Sequence, residues 1–292
     1  MTLEILIIVA AVMFMASYWV CAGQRNKLIQ IEYSYTGSKG PAHWRELFPN
    51  SAGPCQSPIN IVLDDAIAMH VGGADGELRF SEEYSRTPKQ MCIHNDGNSV
   101  TLYVDFGNDP RPAVMRGPRG EKFEFANASF RWGPNDQEGS EHTINYQNYA
   151  MELQAIYIKG SRRYCNCSQA AEDNAMLIIS YLFQVSQTEN HYLTPLILSL
   201  PRIAAIQRTT PVCPIPLFFI MPPFVSKYVS YCGSLTFPPC TEGVYWIVQT
   251  DPLAISSAQV DQFRKLRSSS GLLENNRRPL QDGNGREITF YI

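Results

Sequence analysis

Ser140–Ile156 reads SEHTINYQNYAMELQAI, and the reading of its second half decides the fold class. From Tyr149 to Ile158 (YAMELQAIYI) apolar and polar residues alternate, which is the period of a strand. Alternation puts Met151, Leu153, Ala155 and Tyr157 on one face, and Glu152, Gln154, Ile156 and Ile158 on the other.

Strand signals recur on both sides of this segment. Ser99–Phe106 (SVTLYVDF) alternates in the same way, and Tyr245–Gln249 (YWIVQ) and Ile288–Ile292 (ITFYI) are short β-branched and aromatic runs. Met176–Val185 is apolar almost throughout, as expected of a strand buried on both faces. Twenty prolines and nineteen glycines punctuate the chain, clustering in 108–120, 195–223 and 232–243. Ser256–Arg267 is the best helix candidate, with Ser256 or Ser257 as cap and Val260, Phe263 and Leu266 at helical spacing. No repeat, low-complexity tract or Gly/Ser linker divides the 292 residues. The reading is one mainly β domain from about residue 30 to the C-terminus, with long ordered loops and a few short peripheral helices.

Hydrophobic residues make up 45% and charged residues 17% of the chain, so it can bury a sizeable core. A formal net charge of -3 supplies no field to attract nucleic acid or an anionic membrane. Arg162-Arg163 and Arg277-Arg278 read as solvated turns rather than a polyanion patch. Residues 1–23 stand apart as a signal peptide or membrane anchor, and 24–292 as the domain. Leu3–Val20 is almost wholly apolar with Glu4 its only charge, followed by the small residues Cys21, Ala22 and Gly23. About 18 apolar residues can also just span a bilayer. The basic residues follow the run, which would leave an anchored domain in the cytoplasm, so a cleaved secretory signal is favoured. Seven of the eight cysteines follow this leader, and none makes a CxxC pair, so disulfides are the default over metal. The odd count leaves one thiol free or paired outside the chain. Two sequons, Asn127-Ala128-Ser129 and Asn166-Cys167-Ser168, acquire meaning in a secreted chain.

The Ser140–Ile156 segment resembles the signature of the α-carbonic anhydrases over its 17 residues, with Gln154 where that signature has a zinc-binding histidine. Further blocks agree in order and spacing: Gly40-Pro41-Ala42-His43-Trp44, Gln56-Ser57-Pro58-Ile59-Asn60-Ile61, Phe130-Arg131-Trp132-Gly133, Gly233–Pro239 and Asn275–Gln281. The resemblance covers roughly residues 31–292. It implies a mainly β (α+β) fold with a large central, mostly antiparallel twisted sheet around a conical cavity. In the family that cavity holds zinc on three histidines, two from one strand and one from the next, with the fourth position open to water. Zinc brings the pKa of that water to about 7, giving the hydroxide that attacks carbon dioxide.

Carried over residue by residue, the three ligand positions are Ser129, Arg131 and Gln154. Ser is a poor zinc ligand, Gln offers a neutral carbonyl oxygen, and Arg stays protonated with no lone pair to give. Neither strand offers a displaced histidine, since the five are His43, His70, His94, His142 and His191. Thr236 and Glu141 match the pair that orients the zinc-bound hydroxide, and Glu152 matches a carboxylate behind the third histidine, where it is expected to hold Gln154 or Arg131. Asn98 stands where active members often carry a proton-shuttling histidine, and Phe237 replaces a small polar residue and should narrow the cavity. Cys55 and Cys240 match the disulfide pair of extracellular members, while Cys92, Cys165, Cys167, Cys213 and Cys232 have no assigned partners. Asn127 falls on the cavity wall, where a glycan fits only under a wide mouth; Asn166 lies in a loop and is better placed.

The resemblance therefore implies a catalytically inactive carbonic anhydrase-related protein, with no cofactor, secreted through the secretory pathway or, alternatively, anchored by its N-terminal segment. Silent relatives serve as extracellular binding domains, so a protein partner is expected at the loops 108–120, 160–175 and 205–225. Two other readings are an anion- or small-molecule-binding protein built on Arg131 at the base of the funnel, and a residual hydrolase. No Ser/His/Asp or Cys/His set can be assembled for the latter, and for the former the rival is that Arg131 pairs with Glu141 or Glu152.

Overall fold

The computed structural model describes residues 32–71, 78–116, 121–160 and 167–292. The leader at 1–23, Arg162, Arg163, Cys165 and Asn166 lie outside the described residues.

Among the described residues thirteen strands form one sheet. Its path runs from the edge strand Arg208–Val212 through Gln90–Asn95, Val100–Asp105, Glu121–Trp132, Met151–Lys159, Met176–Ser186, Glu242–Gln249, Tyr228–Ser234 and Thr289–Tyr291 to Ile67–Met69. Most neighbours are antiparallel. Met176–Ser186 runs parallel to Glu242–Gln249 and to Leu253–Ser256, and Thr289–Tyr291 runs parallel to Ile67–Met69, so the sheet is mixed.

The alternation in Met151–Lys159 has the expected consequence. Met151, Leu153, Ala155 and Tyr157 enter the larger core with Phe130, Trp132, Leu177 and Ile179. Ile156 enters the second core on the opposite side, with Ile178, Leu182, Trp246 and Val248. Met176–Ser186 divides its apolar residues between the two cores and is buried from Met176 to Phe183, after which Gln184 and Val185 are exposed. Each fully buried Leu or Ile stabilises the fold by about 1.5–3 kcal/mol, so the central strands are held from both sides and make a stiff platform.

The helix is shorter than its periodicity suggests, spanning Ser257–Arg264. Ser256 caps it: its hydroxyl accepts from the N–H of Gln259, whose side chain accepts in return from the N–H of Ser256. Val260 and Phe263 face the core, but the chain leaves the helix at Lys265, and Arg267–Ser268 pairs with Gly271–Leu272.

The first half of the signature segment is an excursion from the sheet rather than a strand. Thr143–Ile144 pairs in parallel with Asn60–Ile61, and Asn60 Oδ1 accepts from Thr143 Oγ1 at 2.7 Å and from the N–H of Tyr146 at 2.8 Å. The chain enters this excursion through Gly139, whose N–H donates to the carbonyl of Tyr149 at 2.7 Å. A Cβ at Gly139 would overlap the carbonyl of Ala150, which belongs to backbone and cannot swing away. Gly139→Ala should therefore cost about 3 kcal/mol or more, the upper end for overpacking. In thermal unfolding Tm should fall by about 2–4 °C per kcal/mol; an unchanged Tm would show that the excursion is not held by this close approach.

Candidate functional site

Ser129 and Arg131 are two residues apart on Glu121–Trp132, and side chains at that spacing share a face. Across the ladder Ser129 stands opposite Gln154 and Arg131 opposite Glu152, so the structure brings together these four residues, three of which the resemblance assigns to ligand positions. All are buried: Ser129 is 6% exposed, Arg131 2% and Gln154 1%.

Arg131 is the largest charge on this face. Its Nη1 donates to Ser99 Oγ at 2.8 Å, its Nε lies 3.5 Å from Glu141 Oε2, and its guanidinium sits over the Phe237 ring at 5.7 Å. Burial works against the charge, but Tyr35, Glu141, Tyr33 and Glu152 outweigh it and hold the pKa above its ordinary value. Arg131 is thus enclosed in an ion pair instead of facing an open funnel.

Gln154 ties the two carboxylates together. Its Nε2 donates to Glu141 Oε2 at 2.7 Å and to Glu152 Oε1 at 3.0 Å, while its Oε1 accepts from Thr236 Oγ1 at 3.4 Å. The amide offers two donors from one nitrogen, which neutral imidazole does not. The Thr236 hydroxyl also reaches Glu141. Burial raises the pKa of Glu141 and Arg131 opposes the rise, while its Oε1 accepts the N–H of Arg278 at 2.8 Å.

Glu152 also accepts from the backbone N–H groups of Glu141 and His142, and bonds His142 Nδ1 at 2.8 Å. His142 Nε2 meets the Tyr231 hydroxyl at 2.7 Å, and that hydroxyl meets Ser57 Oγ at 2.8 Å. Burial would raise the pKa of Glu152, but His142 and the hydrogen bonds hold it down at about 2. Glu152 therefore holds Gln154, one of its two expected partners, together with His142.

Asn98 faces the protein rather than a proton path: its Nδ2 donates to the carbonyl of Tyr33 at 3.2 Å. The sequence reading missed Tyr33 and Tyr35, which act electrostatically on Arg131 from a distant segment and pack with Trp44 in a small aromatic cluster. Ser99 and Arg278 were missed as well. The Phe130-Arg131-Trp132-Gly133 and Asn275–Gln281 blocks flagged the regions, but no local pattern joins them. Ser129 Oγ has no hydrogen-bond partner among the described residues.

Cys55 and Cys240 are free thiols here, not the disulfide that the resemblance implies. Their segments nonetheless meet: the N–H of Cys55 donates to Glu242 Oε1 at 2.7 Å, and Gln56 Nε2 donates to the carbonyl of Cys240 at 3.2 Å. Burial pushes the Cys240 thiol up to about 12, so it is a poor nucleophile in this state.

Zinc does not fit this donor set. The Ser hydroxyl and the amide are weak ligands, the amide oxygen is already engaged by Thr236, and a guanidinium stands within the same face as a second cation. No group of three metal-capable side chains is found among the described residues.

Two predictions follow from this geometry. Glu152 has its pKa lowered from 4.5 to about 2, so its contribution is full above the unfolded-state value and is lost as pH falls from about 4.5 through about 2. Glu152→Gln should flatten that acid limb in pH-dependent unfolding while lowering stability at neutral pH; an unchanged limb would reject the assignment. Arg131→Met leaves Glu141 buried without its cation and should cost about 3–5 kcal/mol. Arg131→Met with Glu141→Gln should recover most of that loss in denaturant titrations, and strictly additive losses would refute the pairing.

The comparisons with known proteins agree with the geometry. The sequence model of the eukaryotic-type carbonic anhydrase family matches residues 39–292. Carbonic anhydrase 1 of Monodelphis domestica is 32% identical over 268 residues, covering 89% of this chain and 98% of the relative. Carbonic anhydrase-related protein of Rattus norvegicus is 30% identical over 257 residues, 83% of this chain and 85% of the relative. Receptor-type tyrosine-protein phosphatase zeta of Homo sapiens is 32% identical over 244 residues, 82% of this chain, which spans 10% of that protein.

Proposed function

The chain belongs to the eukaryotic-type carbonic anhydrase family, and we propose that within it this protein is a non-catalytic member acting as an extracellular recognition or structural module. One observation carries the reading: of Ser129, Arg131 and Gln154, the positions that the resemblance assigns to zinc ligands, two are bonded into a buried network with Glu141 and Glu152. A side chain merely lost from a metal site would leave the carboxylates without donors; here Glu141 and Glu152 both receive them, while Ser129 Oγ and Arg131 Nε have no hydrogen-bond partner among the described residues. A carbonic anhydrase-related protein among the relatives supports the same reading. The anion-binding alternative is less well supported, because the guanidinium of Arg131 is buried against Glu141, Ser99 and Phe237.

A surface role is supported by the 205–225 segment, which holds the strand Arg208–Val212 and the short helix Leu217–Ile220 rather than one continuous loop. Phe218 and Phe219 are exposed there, and Phe219 stacks on exposed Tyr192 with ring centroids 4.8 Å apart. An exposed apolar patch of this kind suits protein contact. A receptor-type protein that this chain matches over only 10% of its length supports reading the domain as a module. The extracellular setting further rests on the apolar leader and on Cys55 and Cys240, whose segments already meet and which we propose form a disulfide after export, with Asn166 as a glycan acceptor.

The test is metal analysis and carbon dioxide hydration on the purified chain, with mass analysis of its mature N-terminus and of Cys55–Cys240 peptides. The expected result is no stoichiometric zinc, no rapid hydration, loss of the leader and a linked peptide pair. Ser129→His with Arg131→His and Gln154→His should acquire zinc, since Glu141, Glu152 and Thr236 remain. Stoichiometric zinc or rapid hydration in the unaltered chain would overturn the non-catalytic reading.

A further inference from the structure

We infer that Asn127 carries an N-linked glycan over the mouth of the former metal face, with Ser129 serving as the hydroxyl of its sequon. The inference rests on the secretory reading above and extends it to a particular atom, Asn127 Nδ2.

Ser129 occupies the first ligand position and is also the third residue of Asn127-Ala128-Ser129. In the folded protein its hydroxyl is buried and has no hydrogen-bond partner among the described residues, so the network around Arg131 and Gln154 does not account for it. A sequon does account for it, because the third-residue hydroxyl is what makes the asparagine an acceptor.

The position of Asn127 is the second observation. A bulge between Phe125 and Asn127 resets the register so that Asn127 stands opposite Ile156, in line with the Ser129–Gln154 and Arg131–Glu152 pairs. Alternation from Arg131 and Ser129 keeps position 127 on their face, and the bulge is what turns Phe125 to the core side. Two residues of strand span about 7 Å, so Asn127 lies about that far above Ser129 along the face. Exposure increases in the same direction: Arg131 and Ser129 are buried, whereas Asn127 and the neighbouring Thr101, which pairs with Ser129, are part-exposed. The Asn127 amide makes no hydrogen bond among the described residues. The floor of this face is closed, and the wall is part-exposed at Asn127 and Thr101, where the sugar would attach.

The transfer balances simply. In a lipid-linked pyrophosphoryl oligosaccharide the bond from sugar C1 to pyrophosphate oxygen breaks, and a bond from C1 to Asn127 Nδ2 forms. The amide gives up one proton and the lipid pyrophosphate leaves. Transfer acts on the extended, unfolded chain, so the later burial of Ser129 does not oppose it. Once the strand folds, the glycan leaves on the part-exposed side of Thr101 and covers the approach to Gln154.

The test is glycopeptide mass spectrometry on the full chain secreted from eukaryotic cells, with an additional cleavable secretory signal ahead of Met1. Asn127 should be occupied in most molecules. Ser129→Thr should keep the glycan, whereas Ser129→Ala and Asn127→Gln should each lose one glycan while Ser129→Ala keeps its Tm. An unmodified Asn127 in folded, secreted protein overturns the inference, as does a glycan retained in Ser129→Ala. The chain with its own leader alone is followed in parallel. Its retention in the cytosol overturns the secretory reading, and with it the glycan in the native protein, whereas secretion with a bare Asn127 overturns the glycan alone.

Discussion

Two carboxylates, Glu141 and Glu152, are buried side by side on one face of the sheet, and everything around them answers the need to compensate their charge. An uncompensated buried carboxylate is prohibitively costly. In a zinc-holding relative the metal and its histidines supply the positive end of such a site. Here the supply comes from the chain itself: Arg131 pairs with Glu141, His142 and two backbone N–H groups satisfy Glu152, and Gln154 donates to both. The opposite directions in which the two carboxyls are pushed express this division. Glu141 is raised, mainly by burial, while Glu152 is held at about 2 because its hydrogen bonds and His142 exceed the cost of its burial.

That compensation explains why the face is closed as well as why it lacks a metal-binding set. A buried guanidinium strengthens its ion pair only where water is excluded, and exclusion is achieved by aromatic groups. Phe237 lies against the guanidinium, and the segment carrying Tyr33 and Tyr35 packs on Trp44 and is fixed by Asn98. Asn98 thus acts as a clasp for the segment carrying Tyr33.

Much of this was legible in the sequence, and the unreadable parts share a cause. Strands such as Met151–Lys159 announce themselves because side-chain alternation is local, and the ligand positions were located by motifs on adjacent strands. The partner of Arg131 was narrowed to two carboxylates, since a buried charge requires one nearby. Tyr33, Tyr35 and Ser99 were not legible as site residues because they reach Arg131 from other segments, and no period or motif encodes that meeting. The helix end at Arg264 escaped for a different reason: Leu266 continues the apolar spacing and is buried, but from a turn rather than a helix. The bulge beside Asn127 is likewise invisible in the sequence, and it turns Phe125 to the core while Asn127 keeps the face of Ser129.

The network also bears on how such a site can change. Gln154 is useful only while both carboxylates are present, Arg131 is tolerated only beside Glu141, and Glu141 without Arg131 or a metal is a buried charge. Residues that share partners in this way do not contribute additively. A single histidine restored at position 131 would remove the cation from Glu141 while leaving Gln154 between the carboxylates and Ser129 unable to ligate. It would thus lose the present compensation before gaining the older one. Passage between the two states requires at least two changes together, or a bound cation that bridges the interval. Arg131, Gln154, Glu141 and Glu152 are therefore coupled parts of one stable arrangement of this face, and their coupling resists stepwise change.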